Sequence, residues 1–295
     1  MHIHSNFSDG ELNGTELLQY AKKKKLKKLS ITDHDCVSFY FQPENMKLLK
    51  DFDYIVGCEF VCAYNDISIE ILGYGMDLVK TKEYLDKHGV NQNALERYRS
   101  KEIPKVFAKH GIILDYDEKT VDFSQNNPKV LPKLFNIILS NQKAVEFLNK
   151  ENSNLTKSTS LFLREGLNNP NSKIFIQPNK IYPSYKKIIN IIKEYGGVSF
   201  LAHPYQYKQN MMKVLEGVTP YIDGIECYHF TADKEKTELL VNYCKNNNLY
   251  ISGGSDFHTT KEGSDKSRLN ELNVPEQYFD KIKDLLDKKT FTLKI

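Results

Sequence analysis

Two histidines two residues apart open the chain: His2 and His4, followed by Ser8, Asp9 and Gly10. Residues i and i+2 of an extended strand share a face. Both imidazoles therefore face one way, with a carboxylate at the turn just beyond, which is half of a metal site. Further along stand Asp33-His34, Glu59, His203 before Pro204, and Asp256-Phe257-His258 after a pair of glycines. These are donors that hard or borderline divalent ions accept. A lone histidine at a strand end is usually structural or on the surface, and His88 and His110, each before a glycine at a helix end, belong to that class. His229, after Cys227-Tyr228, is open between the two. Five separate strand ends carrying His, Asp or Glu are a different matter, because chance rarely places so many together. The chemistry they suit is metal-dependent hydrolysis, foremost of a phosphate ester.

The elements that must position these groups alternate. Asn13 to Lys28 carries Leu17, Leu18, Ala21 and Leu26 at helical spacing, with Asn13 as cap and Lys22 to Lys25 on the solvated face. Leu29 to Thr32 reads as a short buried strand delivering Asp33, His34 and Asp35. Tyr54 to Glu59 is a further strand, and Asn65-Asp66 is a hairpin signal returning through Ile67 to Gly73, with Glu70 inside it. From Tyr185 to Tyr195 a helix with Ile188, Ile189, Ile191 and Ile192 inward ends at Gly196-Gly197. Strands at Val198–Ala202, Gly224–Cys227 and Leu249–Ser252 alternate with helices near Met211–Glu216 and Ala232–Asn246, and a last helix spans about Pro275–Lys288. Polar residues stand where strands stop, the place where parallel α/β architectures build their sites. Residues 80–169 have a different texture. Helical periodicity dominates at Ala94–His110 and Pro132–Asn149, broken by the polar tracts Ser124–Pro128 and Asn152–Ser160. The expected layout is a barrel-like domain of residues 1–79 and 170–295 with a helical insertion, 80–169, as a lid.

Composition bounds the function. At 295 residues, 40% hydrophobic and 27% charged, the chain can bury a sizeable core. A net charge of +3 is too mild to imply an extended nucleic-acid partner. No apolar run is long enough for a membrane span, no secretory signal fits the polar start, and five cysteines without paired spacing read as reduced thiols. The expectation is a cytoplasmic protein.

His2-Ile3-His4-Ser5 with Ser8-Asp9-Gly10, Thr32-Asp33-His34-Asp35, Gly57-Cys58-Glu59, Ala202-His203-Pro204 and Gly254-Ser255-Asp256-Phe257-His258 resemble, in order, the motifs of the PHP (polymerase and histidinol phosphatase) family. The match runs from residue 2 to about 260 and is looser in the insertion. The resemblance implies a distorted (β/α)7 barrel holding two or three divalent ions, usually manganese, iron or zinc, that hydrolyses phosphate esters. In layout it is nearest to stand-alone members acting on nucleoside 3′,5′-bisphosphates and short oligonucleotides. His2, His4, Asp9, His34, Glu59, His203, Asp256 and His258 each fall on a family ligand position. Two positions depart from the pattern. Glu70 stands where the family usually has histidine, and Asn127-Pro128-Lys129 stands where relatives tend to have Arg-Pro-His.

Metal ions lower the pKa of bound water from ~15.7 toward 7 and clamp phosphoryl oxygens. His203 and His229 are candidates for the leaving-group acid, and Asp256 joins them as a candidate catalytic group. Lys129, Arg164, Lys208 and Arg268 are candidate phosphate-binding cations that serve equally as plain surface. The expected substrate is a small phosphomonoester such as a nucleotide, with histidinol phosphate or a sugar phosphate as alternatives. Rival functions are a C–N hydrolase, disfavoured because no lysine sits at a suitable strand end, and a non-catalytic metal-binding module.

Overall fold

The structure is a computed structural model and describes residues 1–89, 92–123 and 129–292. In chain order, α1 (Gly14–Lys23), β1 (Lys28–Leu29), α2 (Pro43–Leu49), β2 (Asp53–Tyr54), β3 (Gly57–Tyr64), β4 (Ile67–Tyr74) and α3 (Leu78–His88) form the first part. Then come α4 (Gln92–Lys109), α5 (Val130–Ser140), α6 (Gln142–Glu151) and the short α7 (Thr159–Leu161). The chain continues through α8 (Tyr185–Glu194), β5 (Val198–Leu201), α9 (Met211–Val218), β6 (Gly224–Tyr228), α10 (Lys234–Asn246), β7 (Tyr250–Gly253) and α11 (Glu276–Thr292). Two compact units result. One comprises Met1–Cys62, Ile69–Gly89 and Ser184–Ile295, the other Ala63–Ser68 and Val90–Pro183. These limits differ from those expected from composition because α3 packs with the first unit. Its Thr81, Tyr84 and Leu85 are buried, and the turn before it is bonded by Asp77 N–H to the Tyr195 carbonyl at 2.9 Å.

In the first unit, local chemistry sets each element. Asn13 caps α1 in a reciprocal box: its side chain accepts from Glu16 N–H at 3.0 Å while Glu16 accepts from Asn13 N–H. The helix ends at Lys23 because Lys25 takes a left-handed turn. Asn65, also left-handed, makes the β3–β4 hairpin, whose tip, Ala63–Ser68, belongs to the second unit. The strands order as β3-β4-β5-β6-β7, with β4–β5 antiparallel and β5–β6 and β6–β7 parallel. A separate parallel pair joins β1 to β2. The fold is thus mixed α/β with a mixed sheet rather than a wholly parallel one, and neither sheet closes on itself. The strand expected over Leu29–Thr32 is regular only through Leu29. Beyond it the chain leaves β2 and hydrogen-bonds on both sides instead, Thr32 N–H to Ile3 C=O at 2.9 Å and Glu59 N–H to Asp33 C=O at 3.2 Å. On the far side of the N-terminal segment, Asp256 N–H donates to His2 C=O and His4 N–H to Phe257 C=O, both at 2.9 Å.

Tyr74, Phe200, Val198 and Leu72 pack with Phe279 and Ile282 of α11 in one buried cluster. Each such side chain stabilises by about 1.5–3 kcal/mol relative to exposure. A stretch without long periodicity, Ser38–Phe41 and α2, forms helical turns the sequence pattern does not announce. Tyr40 there donates to Ile31 C=O at 2.6 Å and accepts from Gly57 N–H at 3.0 Å, tying the motif strands together.

The second unit is helical and has its own core, including Ile103, Phe107, Leu134, Phe135, Leu148 and Phe162. The expected long helix from Pro132 is two helices, since Asn141 caps α6 and breaks the run. The Asn152–Ser160 tract is helical turns capped by Asn152 and Ser158. The Ser124–Pro128 tract, with the Asn127 departure, lies outside the described residues. Among the described residues, no helix is long and apolar enough to cross a membrane.

Candidate metal centre

Glu59, fully buried on β3, is the hub of the motif side chains. Its Oε2 lies 3.0 Å from His2 Nε2, 3.2 Å from His4 Nε2 and 3.2 Å from His34 Nδ1, and its Oε1 lies 3.1 Å from His203 Nε2. Asp256 forms a second centre, with Oδ1 at 3.2 Å from His4 Nε2, 3.5 Å from His2 Nε2 and 3.4 Å from His258 Nδ1. Asp9 closes the outer edge, 3.1 Å from His258 Nε2 and 3.9 Å from His34 Nε2. Glu70 reaches His203 Nε2 at 2.9 Å. Three overlapping donor groups follow, each compact enough for one cation: His4/Asp9/His34/His258, His2/His4/Glu59/Asp256 and His34/Glu59/Glu70. The structure therefore brings together every residue that the sequence nominated as a ligand, with His203 joined through Glu59 and Glu70.

Backbone geometry at the site is unusual. Asp35 (φ 43°), His203 (φ 26°) and Asp256 (φ 48°) all lie in the left-handed region, where a non-glycine residue costs on the order of 1–3 kcal/mol. Each follows a strand or ladder end and turns its side chain, or its neighbour's, inward. Gly254 must be glycine. A Cβ there would fall 2.2 Å from His2 Cβ and 2.4 Å from His2 N, so only a bare backbone lets the N-terminal segment lie alongside. Asp33 is a brace, not a donor to the cluster: it accepts from Ser5 N–H (2.7 Å), Ser5 Oγ (2.6 Å) and Ser8 Oγ (2.7 Å).

The electrostatics test whether these residues fit a cation. Burial opposes charge on His2, yet Glu59, Glu226 and Asp256 outweigh it and raise its pKa to about 9. His4 and His203 are likewise raised well above the usual range against burial, His4 by Asp256 and Glu59 and His203 by Glu70 and Glu59. Conversely the imidazoles hold Glu59 and Asp256 well below the usual carboxylate range despite burial, which acts the other way. Two imidazole nitrogens, His2 Nε2 and His4 Nε2, stand 3.0 Å apart amid these carboxylates. Nδ1 of His203 is buried without a hydrogen-bond partner. A dry cluster that draws protons onto its imidazoles is one whose protons a divalent cation displaces. The donor set fits.

Two residues that sequence reasoning passed over belong to the site. Glu226, fully buried in β6, accepts from His2 Nδ1–H through Oε1 (3.0 Å) and from His203 N–H through Oε2 (2.9 Å). It fixes the His2 tautomer so that Nε2 faces the cluster. A charged residue in a strand whose neighbours Ile225 and Cys227 are buried was the available signal. Lys266, on the loop after β7, places its ammonium 3.1 Å from His258 Nε2 and 3.5 Å from Asp256 Oδ2.

His229 lies at the cluster's inner edge. Thr231 N–H donates to its Nδ1 at 3.2 Å, leaving the proton on Nε2, which faces Asp256 Oδ2 at 3.5 Å. Burial lowers its pKa, so the ring is neutral at pH 7. Of the four nominated phosphate-binding cations, Arg268 and Lys208 lie in the unit that holds the cluster. Arg268 pairs with Asp265 at 3.0 Å on the surface, and Lys208 is exposed at a kink (φ 50°, ψ −126°). Arg164, beside Glu165, and the exposed left-handed Lys129 belong to the helical unit. His110 bonds the Lys173 carbonyl and His88 lies against Tyr84, both as ordinary structural histidines.

The PHP-domain family profile matches residues 1–292. The chain belongs to the PHP family. It is a metal-dependent phosphoesterase, a hydrolase of phosphoric ester bonds. Among curated PHP relatives, a 5′-3′ exoribonuclease of Haemophilus influenzae is 25% identical over 264 residues, spanning 88% of this chain and 89% of that protein. A 3′,5′-nucleoside bisphosphate phosphatase of Chromobacterium violaceum is 22% identical over 268 residues, spanning 89% of this chain and 88% of that protein. Two solved structures share the fold. A Bifidobacterium adolescentis protein described as a metal-dependent phosphoesterase has a TM-score of 0.62 at 21% identity, covering 95% of this chain and 93% of its own. A Chromobacterium violaceum protein described as an amidohydrolase, with bound sulfate and no metal, has a TM-score of 0.64 at 19% identity, covering 98% and 95%.

Proposed function

We propose that this PHP-family phosphoesterase hydrolyses a small phosphomonoester, a nucleotide such as a nucleoside 3′,5′-bisphosphate or the end of a short oligonucleotide. The observation that carries the reading is the three overlapping donor groups sharing His4, His34 and Glu59. They provide for two or three neighbouring cations, of which manganese, iron and zinc suit the mixed imidazole and carboxylate set. Cations bound there supply an activated water and a clamp on phosphoryl oxygens. The 3′,5′-nucleoside bisphosphate phosphatase among its relatives supports the bisphosphate, and the 5′-3′ exoribonuclease supports an oligonucleotide end. In this reading Glu59 and Asp256 hold the cations' inner side, Asp9 and His258 the outer, and Glu226 keeps His2 in its binding tautomer. His229 is the candidate proton donor to the leaving oxygen, acting from its imidazolium form. The Asp256 carboxylate, 3.5 Å from Nε2, favours that charged form, whereas Nε2 of His203 is already engaged by two carboxylates.

The proposal extends to architecture. Backbone bonds linking residues 2–4 to 256–257 on one side and to Thr32 on the other, and 33–35 to Glu59, support a distorted barrel of seven segments, the (β/α)7 form. The substrate is small and phosphorylated rather than an extended nucleic acid or a membrane surface, and the protein works in the cytoplasm.

The test compares phosphate release by the manganese-loaded chain from adenosine 3′,5′-bisphosphate, AMP, histidinol phosphate and a long single-stranded oligonucleotide, with an amide substrate alongside. Elemental analysis should find at least two divalent ions per chain, and a nucleotide should be fastest. A long oligonucleotide cleaved fastest at moderate salt would refute the small-substrate reading. Amide turnover without phosphate release would favour the C–N hydrolase.

A further inference from the structure

We propose that Lys266 binds the phosphoryl group of the substrate. This deepens the phosphoesterase reading and rests on it.

Three observations converge. First, His258 Nδ1–H donates to the Asp256 carbonyl at 2.8 Å, so its Nε2 presents a lone pair. That lone pair accepts from the Lys266 ammonium at 3.1 Å, and the Asp9 carboxylate, with Oδ1 3.1 Å from the same nitrogen, adds negative charge beside it. The ammonium thus stands where donors converge on a positive charge. Second, the side chain is tethered but not enclosed. Lys266 C=O accepts from His258 N–H at 2.9 Å, and the loop between is pinned because Glu11 Oε2 accepts from Thr259 Oγ1 at 2.6 Å and Thr260 N–H at 2.8 Å. The side chain is nevertheless 39% exposed. The ammonium can sweep only the rim of the cluster, where a soluble anion can meet it. Third, its donors are under-used. One N–H serves His258, while Asp256 at 3.5 Å is too far for a good hydrogen bond.

Cations bound at His258 and Asp9 would repel this ammonium from its present place. A phosphoryl group bridging them would draw it back, because each of its oxygens accepts a charge-assisted bond that no neutral leaving product offers. Arg268, by contrast, is engaged with Asp265. Lys266 is therefore the residue that distinguishes a phosphate from an uncharged ester at this rim.

The test uses the manganese-loaded protein, with inorganic phosphate as the probe and AMP as substrate, comparing wild type with Lys266→Met and Lys266→Arg. Lys266→Met should weaken phosphate binding, measured directly by calorimetry, by about tenfold or more, with KM rising in parallel, kcat falling less and metal per chain unchanged. Lys266→Arg should recover most of the affinity. Phosphate affinity unchanged in Lys266→Met would overturn the proposal. So would a loss of bound metal that accounts for the whole effect, since the ammonium would then be organising the donors and not holding phosphate. A wild type that binds phosphate but releases none from any ester would refute the proposed activity while leaving the Lys266 comparison decisive.

Discussion

Replacing Glu226 by glutamine alters charge and hydrogen-bonding capacity while keeping shape, at a site with no solvent to compensate. Both carboxylate oxygens are committed, one to a ring N–H of His2 and one to a backbone N–H of His203. The backbone group cannot change, so the new amide oxygen stays with His203 and the NH2 turns toward His2 Nδ1. Two donors cannot face each other at 3.0 Å. His2 must then surrender its Nδ1 proton and carry one on Nε2, the atom that faces Glu59 and His4. The variant keeps the imidazole and loses the lone pair the cation needs. Losing an outer partner of a ligating histidine typically lowers metal affinity about 10–100-fold, equivalent to about 1.4–2.8 kcal/mol. A lost buried hydrogen bond to a charged group gives a similar figure, about 1.5–3 kcal/mol. Manganese titration calorimetry of Glu226→Gln should therefore show affinity down by one to two decades, while circular dichroism reports an intact fold. If the variant bound manganese as tightly as wild type, the tautomer argument would be wrong and Glu226 would be a purely structural acid.

Other perturbations follow from the same geometry. Asp256→Asn and His34→Ala should each abolish phosphate release with the fold retained, checked by turnover and thermal melting; asparagine tolerates the left-handed backbone that Asp256 occupies. Gly254→Ala should both destabilise the protein and lower metal content, because the added methyl meets His2 at 2.2 Å. A variant with wild-type melting and metal content would show that the N-terminal segment gives way freely. Asn13→Ala should cost about 1 kcal/mol of stability through the lost α1 cap, seen as a lower midpoint in urea, and leave turnover unchanged.

Most of the candidate ligands could be nominated because they sit in short motifs beside strand ends, where residue type and place coincide, while Glu70, inside β4, came only through the family pattern. Glu226 could not be, because it lies mid-strand, and a strand's alternation does not tell a buried acid from a solvated one. Lys266 was beyond reach for another reason: its position depends on a loop folding back on His258 through a backbone bond eight residues away. Arg164, Lys208 and Arg268 were nominated by charge and Lys129 by its place at a family motif, and neither signal carries the direction of a side chain. In the fold, long amphipathic helices such as α8 matched their periodicity, whereas α2, at seven residues, is too short to show one. Asn141 broke a continuous apolar pattern because its side chain bonds Ala144 N–H, a local choice that periodicity averages away.

The bonds from His2 and His4 to Asp256 and Phe257 also set a schedule for biosynthesis. Both partners of this contact are needed before either donor group containing His4 is complete, and they are separated by nearly the whole chain. At about 5–20 residues per second, His4 waits roughly 13–50 s on the ribosome before His258 is made. The centre therefore cannot assemble as the chain emerges, and its first two histidines pass that interval as part of an unfinished sheet edge. Closure over so long a separation is the slow kind of contact. Metal capture by the two groups that contain His4 is consequently a late event, one of the last steps in maturing the protein.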